Sequence, residues 1–343
     1  GDHYHKCVAE GLPVRYFHQT GVLRPDGLRL LGELSRALGE FCQGKPTVLQ
    51  TYHTASDLLG PLLSQRHACV TTLSTRRDMG FIRKAHHDVL QRGLNRWVSR
   101  VLVVSEAVKW IVARREGADP RRIEVIPNGI DTSAFFPATT PEQRQQAEAL
   151  RQSLGAGSEQ VVVATVGTLR ILKGQGALIA AVARLRRQGR DVVLWMVGKG
   201  DDEELFRAQA KREGVEDAVI FLGQRGDVPE ILRAADVFGL MSHSEGFSNA
   251  VIEAMAAGLP VVVTDVGGNR SAVRGEAGAV VAVNDVEAMA RELALLCDEP
   301  QHRLEAGRAA REIVLSDYTV DRMVERYLAI HRDALAGRQG ASA

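Results

Sequence analysis

Short apolar runs rich in β-branched residues alternate with helix-like segments along most of the chain, and no other feature limits the possible folds as strongly. In the second half these runs cover residues 161–166, 192–197, 219–222, 237–241, 261–266 and 279–282. They are apolar almost without interruption, which is typical of parallel strands that helices cover on both faces. We therefore predict a doubly wound α/β domain whose ligand binds beyond the carboxyl ends of the strands.

The first half of the chain has the same alternation. Strands are predicted at residues 14–17, 48–51, 69–73, 101–104 and 123–126, with helices at 28–42, 55–65, 81–98 and 106–115. A polar, helix-prone stretch at 139–157 leads into the second series, and an amphipathic helix at 320–335 closes the chain. These patterns predict two Rossmann-like domains at residues 1–150 and 151–318, followed by a C-terminal segment at 319–343.

Composition is that of an ordinary soluble protein. With 343 residues, of which 45% are hydrophobic and 25% charged, the chain can bury two cores. Its apolar runs are far shorter than the roughly 18 to 20 residues of a membrane span, so we expect a cytoplasmic protein, with any membrane contact peripheral on the inner face. The cysteines at positions 7, 42, 69 and 297 show no Cys-x-x-Cys spacing, which favours reduced structural thiols over disulfides or a zinc site.

Positive charge is concentrated in the first half. Residues 1–150 carry 20 Lys and Arg against 15 Asp and Glu, although the whole chain has a net charge of only +1. This excess is explained either by solvated helix faces or by a surface for an anionic membrane or a phosphorylated lipid acceptor. Nucleic acid is not expected as a partner, because aromatic residues do not interleave with these charges.

The stretch from Ser244 to Glu253 carries the strongest functional signal. Glu245 precedes a predicted helix at 249–257, Gly246 lets a ligand approach the backbone, and Ser248 is a plausible N-cap. A helix N-terminus with free amides suits a diphosphate. Glu245 and Glu253 can then hold sugar and ribose hydroxyls on either side of it, so the pattern predicts a nucleotide-sugar site.

The full pattern, Ser-Glu-Gly-Phe-Ser-Asn-x3-Glu-Ala-Met-Ala-x-Gly-x-Pro-Val-Val, resembles that of the retaining glycosyltransferases of family 4, which have the GT-B fold. Residues 126–131, 166–174, 197–201 and 264–269 are similar to further motifs of the family, in its order. The resemblance implies an α/β fold with two Rossmann-like domains facing each other across a cleft. The segment at 319–343 would then be a helix that crosses back onto the N-terminal domain.

The resemblance also implies the chemistry. It suggests a retaining glycosyltransferase that moves sugar from a nucleotide-diphosphate sugar, preferably a UDP-sugar, to a saccharide or lipid-linked acceptor in the synthesis of surface polysaccharide or glycolipid. No metal ion or other cofactor is expected. In the implied front-face mechanism, the leaving phosphate takes the proton of the acceptor.

Roles for individual residues follow from the same resemblance. Lys173 and Arg170 would stabilise the leaving diphosphate, with Arg170 replacing the arginine that the family commonly has at the position of Thr168. His53 and Glu245 would fix the donor sugar. The remaining donor-binding positions are Gly167, Gly198, Gly246, Phe247, Ser248, Asn249 and Glu253.

Two alternatives stay open. The chain could be a GT-B epimerase acting on a UDP-sugar, or a catalytically inactive protein that binds a nucleotide sugar.

The family's usual first strand, glycine-rich turn and helix are not recognisable, so we expect the first N-terminal βα unit to be missing. An NAD-dependent dehydrogenase is disfavoured, because Glu203 stands where Gly198-Lys199-Gly200 would need its third glycine.

Overall fold

The structure, a computed structural model, describes residues 26–80 and 85–339. These residues form two parallel sheets with helices around them. The strand predicted at 14–17 lies outside the described residues.

The first sheet has four parallel strands in the order β1–β2–β3–β4. Its elements, in chain order, are α1 (Asp26–Cys42), β1 (Thr47–Thr51), α2 (Thr54–Arg66), β2 (Val70–Arg76), α3 (Ala85–Leu94), β3 (Val98–Val103), α4 (Glu106–Glu116) and β4 (Ile123–Val125).

One helix prediction in this half is too long. The segment predicted as a helix at 81–98 contains α3, a short 3-10 turn at Asn95–Trp97 and the first residue of β3. Val98 is buried and pairs with Thr72 of β2, so β3 begins three residues before the predicted strand at 101–104. Polar Ser99 and Arg100 interrupt the apolar run, which concealed this start.

The second sheet has six parallel strands in the order β10–β9–β8–β5–β6–β7. Its elements are α5 (Pro141–Ser153), β5 (Val161–Val166), α6 (Gln175–Arg187), β6 (Val192–Val197), α7 (Glu203–Glu213), β7 (Val219–Gly223), α8 (Val228–Ala234), β8 (Val237–Leu240), α9 (Asn249–Ala256), β9 (Val261–Thr264), α10 (Asn269–Ala272), β10 (Gly278–Val281), α11 (Val286–Asp298) and α12 (Pro300–Asp317). The strand order reverses between β5 and β8, the place where doubly wound sheets bind ligands.

Side-chain alternation explains why this sheet is buried on both faces. Trp195 of β6 packs into one apolar core, while Leu194 and Met196 pack into the other. All three side chains are fully buried. Burying a side chain of this size contributes about 1.5 to 3 kcal/mol. Because apolar side chains point to both faces of the sheet, this contribution is obtained on both faces only when helices cover each of them.

After α12 the chain returns to the first sheet. Ile130 and Thr319 form an isolated parallel bridge, in which the Ile130 N–H donates to the Tyr318 carbonyl (2.7 Å) and the Val320 N–H to the Ile130 carbonyl (3.2 Å). The last helix, α13 (Val320–Gln339), then packs on β1 and β2. Through residues 26–80 and 85–339, no helix has the length and apolar composition needed to cross a membrane.

The domain limits at residues 150 and 318 remain a prediction. Helix α5 packs against α8, and Arg151 forms an ion pair with Asp236 at 2.8 Å. These contacts join α5 to the second sheet and favour a boundary before this helix.

Candidate active site

An ion pair occupies the point where the order of the second sheet reverses. Lys173 ends a 3-10 turn after β5, and Glu245 lies in the loop after β8. Lys173 Nζ is 2.7 Å from Glu245 Oε1, and Ser242 Oγ donates a hydrogen bond to the same oxygen, also at 2.7 Å. The Glu245 side chain is only 9% exposed. Its other oxygen, Oε2, accepts from no group in the described part of the chain, so it is available to a ligand hydroxyl.

The two loops that carry this pair are joined through their backbones. The His243 N–H donates to the Leu172 carbonyl at 2.9 Å. Gly174 has φ +68°, and a Cβ on it would lie 1.9 Å from the Met241 carbonyl oxygen. Only glycine allows this approach without strain. The position of Lys173 relative to Glu245 is therefore set by backbone contact and not by side chains alone.

A second glycine contact leaves space above β5. A Cβ on Gly198 would lie 2.0 Å from the Gly167 carbonyl oxygen, whereas a Cβ on Gly167 would meet no atom within 4 Å. The loops after β5 and β6 thus approach closely while Gly167 faces open space. This space is where we expect a phosphate group to bind.

Helix α9 presents unpaired amides beside the ion pair. Ser248 occupies the N-cap position, but its side chain accepts no hydrogen bond from the helix. Within the described residues, the N–H groups of Phe247 and Ser248 also have no hydrogen-bond acceptor. Free amides at a helix N-terminus, where the helix dipole is positive, favour an anion.

Glu253 lies one turn further along α9. Its side chain is partly buried, and burial raises the pKa of its carboxyl group. No described residue donates a hydrogen bond to it or pairs with its charge. A desolvated carboxylate is costly unless it is hydrogen-bonded, so hydroxyl groups of a ligand would stabilise it.

The first sheet meets this site through three residues that follow its strands and that were not predicted from the sequence. Ser105, after β3, donates its Oγ hydrogen to the Gly246 carbonyl at 2.8 Å. Asn128, after β4, donates to Asn249 Oδ1 at 2.7 Å. A Cβ on Gly246 would lie 2.3 Å from the carbonyl oxygen of Arg77, which follows β2. The carboxyl ends of β2, β3 and β4 therefore face the N-terminus of α9.

Comparison with known proteins agrees with this arrangement. The family model "Glycosyl transferases group 1" matches residues 146–313, and the model "Glycosyltransferase Family 4" matches residues 5–134. The D-inositol 3-phosphate glycosyltransferase of Salinispora arenicola is 31% identical over 340 residues, covering 92% of this chain and 72% of that protein. The chain belongs to glycosyltransferase family 4.

One further relative and one solved structure are also similar to this family 4 glycosyltransferase. An N-acetyl-alpha-D-glucosaminyl L-malate synthase of Bacillus anthracis is 29% identical over 62% of this chain and 54% of its own length. The crystal structure of Anabaena Alr3699/HepE in complex with UDP superposes with a TM-score of 0.85 at 22% identity, over 96% of this chain and 89% of that one. That similarity confirms the predicted GT-B fold.

The predicted catalytic residues of this family 4 glycosyltransferase do not all meet. Lys173 and Glu245 are in contact, but Arg170 lies 3.5 Å from Asp201 in an exposed ion pair. Arg170 immediately precedes the turn at Ile171–Lys173. His53 is exposed at the N-cap position of α2, at the carboxyl end of β1. Their roles remain predictions.

Metal ligation was not expected, and His86 and His87 carry no predicted role. The described residues contain no group of three or more His, Cys, Asp or Glu side chains that could hold a metal ion. The acidic residues of the site instead pair with Lys173 or lie without a partner.

Glu253→Ala is expected to weaken UDP binding at least tenfold, because the charge-assisted hydrogen bonds that we predict between its carboxylate and the ribose hydroxyls contribute about 1.5 to 3 kcal/mol. Isothermal titration calorimetry of the folded variant measures this. Glu312→Ala, which removes an exposed carboxylate on α12, is the matched control and should bind UDP as the parent does. Equal affinity in the Glu253 variant and the parent would contradict the ribose assignment.

The raised pKa of Glu253 also predicts the pH dependence. The folded state disfavours ionisation of this carboxyl group. At a pH above the folded pKa, the charged group therefore destabilises the unliganded protein. This destabilisation disappears when the pH is below the pKa of the unfolded state, about 4.3. Glu253→Gln should therefore raise the free energy of unfolding at pH 7 and change it little at pH 4. UDP binding to the parent should weaken as pH falls through the raised pKa, because the protonated group is a poorer acceptor.

Proposed function

We propose that this protein transfers a sugar from a UDP-sugar to the hydroxyl group of an acceptor, with retention of anomeric configuration. The observation that carries the proposal is the Lys173–Glu245 pair at the reversal point of the second sheet, next to the free amides of α9. A cation, helix amides and a carboxylate with one open oxygen are the groups that a diphosphate and a sugar require.

The proposed chemistry is a front-face displacement. The bond from the anomeric carbon to the β-phosphate oxygen breaks, and the acceptor oxygen bonds to that carbon from the same face. The leaving phosphate takes the acceptor proton, so no protein base is needed. Lys173 and the amides of Phe247 and Ser248 would stabilise the charge that develops on the diphosphate. Glu245 Oε2 would accept a hydrogen bond from a hydroxyl of the donor sugar and orient it.

Uracil is the proposed base of the nucleotide. Structures of Anabaena Alr3699/HepE with UDP and with UDP-glucose superpose on this chain with TM-scores of 0.85 and 0.81. Glu253, whose carboxylate has no described partner, is the proposed acceptor for the ribose hydroxyls. The nucleotide then extends from α9 toward the open space above Gly167.

We propose an acceptor that carries both a hydroxyl and an anionic group. The names of two relatives specify D-inositol 3-phosphate and L-malate, which are both anionic. On this chain, the exposed Arg77 lies where the first sheet meets Gly246. Among the described residues its guanidinium donates a hydrogen bond to the amide oxygen of Asn128, at 3.5 Å, and forms no ion pair with a carboxylate. A cation without a carboxylate partner at this position favours an acidic acceptor over a neutral saccharide.

Acceptor-dependent release of UDP tests the proposal. The protein is incubated with UDP-glucose or UDP-N-acetylglucosamine and with inositol 3-phosphate, inositol, L-malate or a neutral disaccharide, and products are identified by mass spectrometry and NMR. An α-linked product with an anionic acceptor is expected. A changed UDP-sugar in the absence of acceptor would indicate an epimerase, and UDP binding without turnover on any acceptor would indicate a binding protein.

Arg77→Ala should raise the KM for the anionic acceptor at least tenfold, because a charge-assisted contact is lost, and should leave the Kd for UDP unchanged. Arg212→Ala, on the exposed surface of α7, is the matched control and should change neither value. An unchanged KM in the Arg77 variant would exclude it from acceptor binding. A product formed equally well with inositol would show that the acceptor needs no anionic group.

A further inference from the structure

Two cysteines that are 27 positions apart in the sequence meet at the amino-terminal end of β2, in the first sheet. Cys42 is the last residue of α1, and Cys69 immediately precedes β2. The Cys69 thiol donates a weak hydrogen bond to Cys42 Sγ, with 3.4 Å between the sulfur atoms. Both are free thiols in this structure. The fold thus creates a thiol pair that the spacing of the cysteines did not predict.

Backbone hydrogen bonds hold the two residues in place. The Cys42 carbonyl accepts from the Lys45 N–H at 2.7 Å, and the Cys69 carbonyl accepts from the Thr47 N–H at 2.9 Å. Lys45 and Thr47 flank a single residue, so the two cysteines are tied to the same turn. A disulfide bond is about 2.05 Å long, which the sulfur atoms can reach by moving roughly 1.4 Å closer. Rotation about the two Cα–Cβ bonds is the motion that we expect to bring the sulfur atoms together.

We propose that Cys42 and Cys69 are an oxidisable pair, which a peroxide converts into an intrachain disulfide. Cys69, which is partly exposed, reacts first, and Cys42 is buried beneath it. The Cys69 thiolate attacks one oxygen of hydrogen peroxide, the O–O bond breaks, and a sulfenic acid forms with release of water. The Cys42 sulfur then attacks the sulfenic sulfur, and a second water leaves. Two thiols and one peroxide yield one disulfide and two waters.

The environment of the pair predicts a slow reaction that accelerates in alkali. Burial, and then the contact with Cys42, raise the pKa of the Cys69 thiol. Since the thiolate is the nucleophile, only a small fraction of Cys69 is reactive near neutral pH. The oxidation rate should therefore rise with pH through the neutral range. Such behaviour distinguishes this pair from an activated catalytic cysteine.

The disulfide would restrain the part of the chain that leads to the cleft. The closed loop, residues 42–69, contains β1 and α2, with His53 between them. Cross-linking its ends lowers the conformational entropy of the unfolded chain. Oxidation is thus expected to stabilise the first sheet and to leave the Lys173–Glu245 site, on the second sheet, unchanged.

Peptide mapping of the peroxide-treated full chain tests the proposal. The reduced protein is treated with hydrogen peroxide, free thiols are counted, and a non-reducing digest is analysed by mass spectrometry. A peptide linking Cys42 to Cys69, lighter by about 2 Da than the two reduced peptides together, is expected. Thiol loss should be faster at pH 8.5 than at pH 6.5, and the melting temperature should rise by roughly 5 °C or more, reversibly with dithiothreitol.

Variants assign the reaction to this pair. Cys42→Ser and Cys69→Ser should each abolish the linked peptide and the rise in melting temperature, while Cys7→Ser and Cys297→Ser should change neither. If the Cys42 variant does not fold, mapping of the Cys297→Ser protein decides the question. Three results would each overturn the proposal. They are disulfide links that involve Cys7 or Cys297, sulfinic acid on Cys69 beside an unreacted Cys42, and unchanged thiols in the peroxide-treated parent protein.

Discussion

Lys173→Ala is expected to reduce the turnover number of sugar transfer by about 10²- to 10³-fold, the effect of removing one preorganised group that stabilises transition-state charge. Lys173 is the cation nearest Glu245, at 2.7 Å, and it comes from the loop that also faces the open space above Gly167. Without it, the diphosphate would lose a proposed charge partner, and Ser242 would be the one described residue whose side chain still donates to Glu245. UDP binding should weaken, whereas uridine binding should be largely kept, because the nucleoside does not contact this cation.

The measurements are the turnover number, from UDP release, and calorimetric titrations with UDP and uridine. Lys211→Ala removes an exposed lysine in the last turn of α7 and is the matched control, with no expected change. An equal loss of UDP and uridine binding in the Lys173 variant would indicate misfolding of the site. Full turnover in a folded variant would exclude Lys173 from charge stabilisation.

Gly174→Ala is expected to lower the free energy of unfolding by about 3 kcal/mol or more and to remove UDP binding. An alanine with φ near +68° costs about 1 to 2 kcal/mol. Its Cβ would also lie 1.9 Å from the Met241 carbonyl oxygen, a backbone atom that cannot move aside like a flexible side chain. The loops after β5 and β8 would have to separate, which would displace Lys173 from Glu245.

Gly189→Ala separates these two costs. Gly189 follows α6 and has φ +85°, but a Cβ there would meet no atom within 4 Å. Urea denaturation should therefore show only the conformational penalty of about 1 to 2 kcal/mol, with unchanged UDP affinity. Equal destabilisation in the two variants would show that the contact between Gly174 and Met241 contributes nothing to the site.

The sequence was sufficient to predict the strands of the second sheet and to select the candidate residues at their carboxyl ends, whose roles remain predictions. Buried parallel strands such as β5 and β6 are apolar along their whole length, because helices cover both faces, and this leaves a local signal that does not depend on distant contacts. The helix at Asn249–Ala256 was also predictable, since it follows the loop with Gly246 and ends before Gly258, whose φ is +82°. Lys173 and Glu245 lie in the loops after β5 and β8. Because these parallel strands are neighbours, their loops leave the sheet at the same edge and bring the two residues close together.

Contacts between the two halves could not be predicted in this way. The bonds from Ser105 to Gly246 and from Asn128 to Asn249 join residues more than 100 positions apart, and their partners depend on how the sheets face each other. The surroundings of Arg170 were also not predictable. Its ion pair with Asp201 joins the loops after β5 and β6, a contact that no local sequence pattern indicates, and its role toward the diphosphate stays a prediction.

The bridge between Ile130 and Thr319 restrains how the two halves could move relative to each other. The polypeptide passes between them twice, and at this bridge both passages lie side by side and share two backbone hydrogen bonds. Torsion of one half against the other would break these bonds, whereas bending about an axis through both passages would not. We therefore expect any opening and closing of the two halves to follow one hinge axis. Such a restraint would return Ser105 and Asn128 to the same positions on α9 after each closure.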